Sequence, residues 1–189
     1  MNKKIIVISY DDLWEGNDKW VVFEKFYAKF PKYKVTFFVN PGQCSPEFLK
    51  KIKKPWTELV YHAENHTGSH MKWSKEESKE KLLKYYDKHG FVKGFKGPGW
   101  RLSQNIIDAC KELGFWIASI STIPVEIDKK FYTYYKKGEG LSHLPNYSQY
   151  YGHIQSHNFN ENLKELEEHC NECDPEFRFV SEMLNIPLR

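Results

Sequence analysis

Short apolar runs alternate along this chain with segments whose apolar residues recur at helical spacing. Residues 4–9 (KIIVIS) form a nearly continuous β-branched run, which is typical of a strand buried on both faces. Similar runs predict strands at 35–39, 58–61, 91–96, 115–121, 149–155 and 177–180. Capping residues and proline or glycine signals predict helices over 18–30, from 45 onwards, over 74–90, over 103–113 and over 160–170. The aromatic-rich segment from about 123 to 147 has no clear period.

The alternation of strands and helices predicts an α/β fold with a parallel sheet, open or closed into a barrel. Polar clusters follow four of the predicted strands, at 10–12, 62–70, 96–101 and 153–157. In parallel α/β folds, functional groups lie at the carboxyl ends of the strands. The four clusters are therefore expected to meet at one site.

Composition limits the classes of protein to which the chain can belong. Its 189 residues suit one domain spanning 1–189, and 40% hydrophobic with 28% charged residues indicates a globular chain. The net charge of +3 comes without an arginine-rich block, so no nucleic acid partner is expected. No apolar run is long enough for a membrane span or a signal peptide, so a cytoplasmic location is expected. The oligomeric state is left open.

The cysteines do not suggest a disulfide framework. Cys44 and Cys110 are isolated, and only Cys170 and Cys173 form a pair. A structural zinc site would need a second pair of cysteines or well-spaced histidines, which the sequence lacks. We therefore predict that Cys170 and Cys173 are thiols at a helix end rather than metal ligands.

Two groups of residues could carry chemistry near the first and third strands. Asp11 and Asp12 are adjacent carboxylates directly after an apolar strand, where a cation or proton chemistry would stabilise them; a solvated turn is the alternative. His62, His66 and His70 follow at intervals of four residues, which lets two of them converge on one metal. Their alternative is a surface loop with incidental histidines. An aspartate with two histidines suits a catalytic zinc that keeps positions open for water and substrate.

The later polar clusters are weaker signals. The turn at 97–100 (GPGW) would let backbone approach a ligand and offers an aromatic wall, although the motif alone favours a plain turn. His153 and His157 follow a late strand, where a histidine could act as a general acid or have a structural role.

In this order, the motifs resemble those of the polysaccharide deacetylase family, carbohydrate esterase family four. Two of the family's motifs match residues 9–12 (SYDD) and 58–66 (ELVYHAENH), and two more loosely match 95–103 (FKGPGWRLS) and the histidine at 153. The resemblance extends from about residue 4 to residue 180. Lys96 stands where the family has an arginine, and the family's aspartate-tryptophan pair is not found in 117–124 (IASISTIP).

The resemblance implies a distorted (β/α) barrel of about seven parallel strands with outer helices. It implies Asp11 as the catalytic base, His153 as the acid, and one divalent metal, expected to be zinc. The implied metal ligands are Asp12, His62 and His66, with His70 and His157 as alternative site residues. The implied substrate contacts are Tyr10, Lys96, Pro98, Trp100 and Arg101.

The activity implied by the resemblance is hydrolysis of an acetyl group from an N-acetylated amino sugar, in a polysaccharide or a smaller sugar intermediate. The expected cytoplasmic location favours the smaller substrate. Two alternatives remain open at this point: a hydrolase of the same fold that acts on a non-sugar amide, and a carbohydrate-binding relative without turnover.

Overall fold

A computed structural model of the protein describes residues 4–17, 19–120, 131–134, 139–143 and 147–183. Its strands are β1 (Ile5–Leu13), β2 (Val35–Val39), β3 (Thr57–Tyr61), β4 (Gly94–Lys96), β5 (Trp116–Ile120), β6 (Phe131–Tyr134), β7 (Gly140–His143), β8 (Ser148–His153) and β9 (Glu176–Arg178). Its α-helices are α1 (Trp20–Lys29), α2 (Pro46–Ile52), α3 (Lys75–His89), α4 (Gln104–Leu113) and α5 (Phe159–Cys173). None of these described helices is long and apolar enough to cross a membrane.

The described strands form one sheet in the order β6-β5-β4-β3-β2-β1-β8-β7, and β9 pairs with β1. The paired strands are parallel except β7 and β8, which are antiparallel. The connection from β7 to β8 is only residues 144–147, which is too short for the crossover that a parallel pair needs. The predicted distorted barrel is confirmed, but the described part of its sheet is mixed and has nine strands.

Successive residues of a strand point to opposite faces of the sheet, so alternate apolar residues belong to separate clusters on its two faces. Ile8 and Tyr10 of β1 belong to the larger apolar cluster, which also contains the buried side chains of the helices. Val7, Phe38 and Val60 belong to a smaller apolar cluster on the other face of the sheet. We call this other face the inner face, and the face toward the helices the outer face.

Local sequence signals account for most of the observed boundaries. The hydroxyls of Ser45, Ser74 and Ser103 each accept a hydrogen bond from the amide three residues later and cap α2, α3 and α4. Several predicted strand boundaries are wrong, since β1 continues to Leu13 and contains Asp11 and Asp12, β4 begins at Gly94, β8 ends at His153 and β9 ends at Arg178. β6 and β7 lie in the segment that showed no clear period, and residues 121–130, 135–138 and 144–146 of the chain lie outside the described residues.

Candidate active site

The carboxyl ends of four strands bring polar side chains together on the inner face. Asp11 lies near the end of β1, Lys96 ends β4, His153 ends β8, and His62 directly follows β3. Tyr151 lies two residues before His153 and therefore shares its face. The parallel register pairs Asp11 with His153 directly across β1 and β8. The expectation that the polar clusters meet at one edge of the sheet is confirmed.

Asp11 is a buried carboxylate with a fixed cation beside it. Its side chain is only 3% exposed, and Lys96 Nζ lies 2.7 Å from Oδ1 and 2.6 Å from Oδ2. The Tyr151 hydroxyl donates a hydrogen bond to Oδ2 at 3.0 Å. Burial lowers the pKa of Lys96 to about 8, although the adjacent Asp11 charge acts in the opposite direction. The ammonium holds the carboxylate in one orientation, as a positioned general base requires.

Lys96 is enclosed as well as paired. Its ammonium lies 3.7 Å from the centroid of the Trp100 ring, 4.2 Å from that of Tyr151 and 4.7 Å from that of Phe38. Aromatic faces attract a cation, and the attraction grows when water is excluded. The rings therefore help a lysine to occupy the position that is an arginine in the family resembled by the sequence.

Asp12, His62 and His66 form a group of potential metal ligands, with one donor atom from each lying within 4.8 Å of the others. His62 Nε2 and His66 Nε2 lie 3.5 Å and 3.7 Å from Asp12 Oδ1. Burial acts to raise the pKa of Asp12, but the nearby imidazoles of His62, His66 and His153, in their protonated forms, outweigh it and leave that pKa below its ordinary value. The carboxylate is thus kept ionised and able to bind a cation.

The hydrogen bonds of His62 test whether these residues fit a metal. His62 Nδ1 bonds the carbonyl oxygen of Lys96 at 2.8 Å, so Nδ1 carries a hydrogen, and in the neutral ring Nε2 carries a lone pair. His62 Nε2 and Asp12 Oδ1 are both buried, and neither has a hydrogen-bond partner among the described residues. Two buried acceptors that face each other are unfavourable unless a cation lies between them. The donor set therefore fits a divalent metal.

His70 is separated from this group. It is fully buried, its Nε2 bonds the carbonyl oxygen of Arg101 at 3.1 Å, and burial lowers its pKa below the ordinary value. A Cβ atom on Gly97 would lie 1.9 Å from the same carbonyl oxygen, so the chain comes too close here for any other residue. These contacts give His70 a structural role in holding the turn at 97–101 against the loop after β3.

The backbone around the site has unusual conformations. Asp12, Ala63 and Trp100 have φ angles of 63°, 61° and 62°, a region that residues other than glycine rarely adopt. The register of β1 against β2 also shifts between Tyr10 and Leu13, so the strand pairing is irregular at Asp11 and Asp12. Each of these residues is next to a site residue or belongs to the site, so the surrounding packing keeps a strained backbone there.

His153 is held between two partners that were not predicted from the sequence. Its Nδ1 lies 2.6 Å from Glu139 Oε1, and its Nε2 lies 3.0 Å from the Tyr151 hydroxyl and 3.7 Å from Asp11 Oδ2. Glu139 also accepts a hydrogen bond from Asn162 at 3.4 Å. A carboxylate on Nδ1 stabilises a protonated imidazole, so His153 is suited to deliver a proton from Nε2.

A cleft of about 500 Å³ opens beside Asp12 and His153. Its described lining residues are Asp12, Glu139, His153, Gln155, Ser156, His157, Asn158 and Asn162. Every one of these side chains carries a hydrogen-bonding group. His157, which the sequence suggested as an alternative site residue, lies in this lining and not in the group of potential metal ligands.

The remaining predicted substrate contacts differ in position. Tyr10 is fully buried on the outer face, where its ring packs against Phe23, and the structure does not bring it to the site. Pro98 is buried and Arg101 is exposed. The half-buried Trp100 ring lies 5.6 Å from the Tyr151 ring and covers Lys96. Of these four residues, Trp100 lies against the side chains around Asp11.

Comparison with solved structures identifies the fold. A family 4 acetyl xylan esterase from Clostridium thermocellum, in complex with cobalt, has a TM-score of 0.65 at 14% identity, over 97% of this chain and 91% of that one. A peptidoglycan N-acetylglucosamine deacetylase has a TM-score of 0.65 at 16% identity, over 100% and 91%. A chitin deacetylase from Colletotrichum lindemuthianum has a TM-score of 0.64 at 12% identity, over 97% and 88%.

The chain therefore has the fold of family 4 carbohydrate esterases, and the resemblance stated from the sequence is confirmed at the level of fold. No protein-family model matches the sequence, and no curated protein matches it. The fold does not by itself specify an activity, which depends on the residues of the site.

Proposed function

We propose that this protein is a metal-dependent deacetylase that removes the acetyl group from an N-acetylated amino sugar. The observation that carries the proposal is the convergence, at one edge of the sheet, of a cation-paired Asp11, the Asp12–His62–His66 group and a carboxylate-paired His153. Base, metal ligands and acid are the three parts that amide hydrolysis by a metal-activated water requires.

Asp12, His62 and His66 would hold the metal. Two imidazoles and a carboxylate are a donor set that suits zinc and other divalent first-row metals, and we expect zinc. The cobalt ion bound by the acetyl xylan esterase of the same fold supports a divalent metal. When bound, such an ion polarises the acetyl carbonyl and lowers the pKa of a coordinated water.

Asp11 and His153 carry out the two proton transfers of the proposed reaction. Asp11 accepts a proton from the attacking water, whose oxygen forms a bond to the acetyl carbon. His153 then donates its Nε2 proton to the amide nitrogen as the carbon–nitrogen bond breaks. The products are acetate and the free amine, so no other reactant is needed. The carboxylate on Nδ1, Glu139 Oε1 at 2.6 Å, stabilises the charged form of the acid.

The polar cleft supports a sugar as the group that carries the amine. It adjoins His153, which would protonate the leaving nitrogen, and its described lining offers amides, hydroxyl, imidazole and carboxylates. Hydroxyl-rich substrates match such a lining, because each buried polar group of protein or ligand then finds a partner. The cleft fits a sugar better than an aliphatic amine.

Two substitutions test the proposal by separating the roles of the adjacent aspartates. Asp12→Ala should lose the metal, measured by elemental analysis of purified protein, because it removes one of three ligands. Asp11→Asn should keep the metal and lose about 10²- to 10⁴-fold in acetate release from N-acetyl sugars. Asp87→Asn, at an exposed aspartate, is the matched control and should behave as wild type.

The outcomes distinguish the alternatives. An Asp11→Asn variant as active as wild type would show that Asp11 is not the base. A wild-type protein that binds metal and releases acetate only from non-sugar amides would replace the sugar substrate with another N-acyl compound. A wild-type protein that binds sugar without any acetate release would be a binding relative.

A further inference from the structure

The side chain of Tyr151 lies between the proposed base and the proposed acid. Its hydroxyl oxygen is 3.0 Å from Asp11 Oδ2 and 3.0 Å from His153 Nε2, and the side chain is almost fully buried. The ring is fixed by Trp100, at 5.6 Å between centroids, and by the ammonium of Lys96, 4.2 Å from its own centroid. The ring is therefore held by these two contacts, and the hydroxyl by its two hydrogen-bond partners.

The directions of these hydrogen bonds follow from the hydrogens available. A phenol has one hydrogen, and an ionised carboxylate can only accept, so the Tyr151 hydrogen points to Asp11 Oδ2. The Tyr151 oxygen is then left to accept a hydrogen from His153 Nε2. Since His153 Nδ1 faces the carboxylate of Glu139, both ring nitrogens face acceptors. Hydrogens on both nitrogens satisfy this arrangement, which is the form of histidine that can act as an acid.

Burial and the neighbouring Asp11 charge raise the pKa of Tyr151 far above its ordinary value, so its hydroxyl remains a donor. Among the described residues, the charged or titratable groups around His153 include Asp11 and Asp12 of β1, Glu139 before β7, Tyr151 of β8, His157, which lines the same cleft, and Lys96, which contacts Asp11 and the Tyr151 ring. Of these groups, Tyr151 is the one that contacts both Asp11 and His153 through hydrogen bonds.

We propose that Tyr151 is a positioning residue that links Asp11 to His153 and keeps a proton on His153 Nε2, ready for the leaving nitrogen. The inference rests on the proposed deacetylation. During the reaction, the leaving nitrogen replaces the Tyr151 oxygen as the acceptor of that proton. Tyr151 keeps its own hydrogen throughout, directed at Asp11.

The test compares Tyr151→Phe with Tyr150→Phe, which removes the neighbouring hydroxyl on the outer face of the same strand. Tyr151→Phe should lower kcat for acetate release roughly ten- to a hundredfold, with KM changed by less than about twofold. The alkaline limb of its pH–rate profile should move to lower pH, because His153 has lost an acceptor for its Nε2 hydrogen. Tyr150→Phe should leave kcat, KM and the pH–rate profile unchanged. Metal content should stay at the wild-type value in both variants.

A second readout does not depend on activity. In metal-free protein labelled with ¹⁵N-histidine, the His153 Nε2 signal, identified by its loss in His153→Ala, should shift in Tyr151→Phe and stay in place in Tyr150→Phe. An unchanged signal together with an unchanged pH–rate profile would overturn the role of Tyr151. If wild type releases no acetate from any substrate, the proposed function fails, while the Nε2 signal still decides whether Tyr151 holds the proton on His153.

Discussion

Lys96→Met should destabilise the fold strongly, because it removes the cation from a buried pair. The ammonium lies within 2.7 Å of both oxygens of Asp11, whose side chain is only 3% exposed. Methionine has nearly the length of lysine and retains contact with the rings around it, so the cavity left behind is small. The main effect is the charge of Asp11, which stays buried with the Tyr151 hydroxyl as its remaining described donor.

Breaking a buried ion pair by removing one partner destabilises proteins by about 3–5 kcal/mol. This loss in the free energy of unfolding corresponds to a fall of roughly two to four powers of ten in the ratio of folded to unfolded protein. Removing both charges should be less harmful, so Asp11→Asn combined with Lys96→Met should be more stable than Lys96→Met alone.

The measurement is denaturant unfolding of metal-free protein, followed by tryptophan fluorescence. Lys50→Met, at an exposed lysine of α2, is the matched control and should lie within about 0.5 kcal/mol of wild type. The reasoning is refuted if Lys96→Met loses less than about 1 kcal/mol, or if the effects of the two substitutions simply add in the double variant.

Three further predictions concern other parts of the chain. His62→Ala should lose the metal, whereas His70→Ala should keep it and lose stability; a metal-free His70→Ala protein would move the ligand pair to the later histidines. Replacing Cys170 and Cys173 with serine should leave metal content unchanged, and a fall in zinc per chain would reveal a ligand role for these thiols. Burial raises the pKa of Glu58, so the folded state holds the Glu58 proton more tightly than the unfolded state does. The free energy of unfolding should therefore fall as the pH rises from about 4.5 through the folded-state pKa. Glu58→Gln should flatten this fall in denaturation midpoints, and an unchanged slope would contradict it.

Much of the fold could be predicted because the capping residues and the spacing of apolar residues indicate the same helices and strands. The apolar runs of β1 and β2 are buried along nearly their whole length, as expected for strands covered on both faces. β6 and β7 were not predicted. Each is only four residues long, and both lie in a segment of mixed aromatic and charged residues without a clear period. Such short strands are specified by their neighbours in the sheet and not by their own sequence.

The candidate site was predictable where short motifs at strand ends carry the chemistry. Asp12, His62 and His66 converge as the spacing suggested, although their binding of metal stays a prediction. Glu139 was missed because its contacts are with residues 14 and 23 positions away, and no local pattern encodes them.

Two other residues, Tyr151 and Tyr10, show what the alternation of side chains along a strand can add to the prediction. Tyr151 could have been found from the strand, because it lies two residues before His153 and must share its face. By the same rule, Tyr10 must lie on the face opposite Asp11, so its role as a substrate contact could have been questioned from the sequence.

Lys96 makes two separate contacts with the site, and they come from different parts of the residue. Its main-chain carbonyl fixes the ring of His62, while its side chain fixes Asp11. A substitution at this position can therefore alter the contact with Asp11 while the contact with His62 is kept, because every amino acid supplies the same carbonyl. The side chain at this position can therefore differ, for example between arginine and lysine, without any change in the main-chain contact that orients the His62 ring.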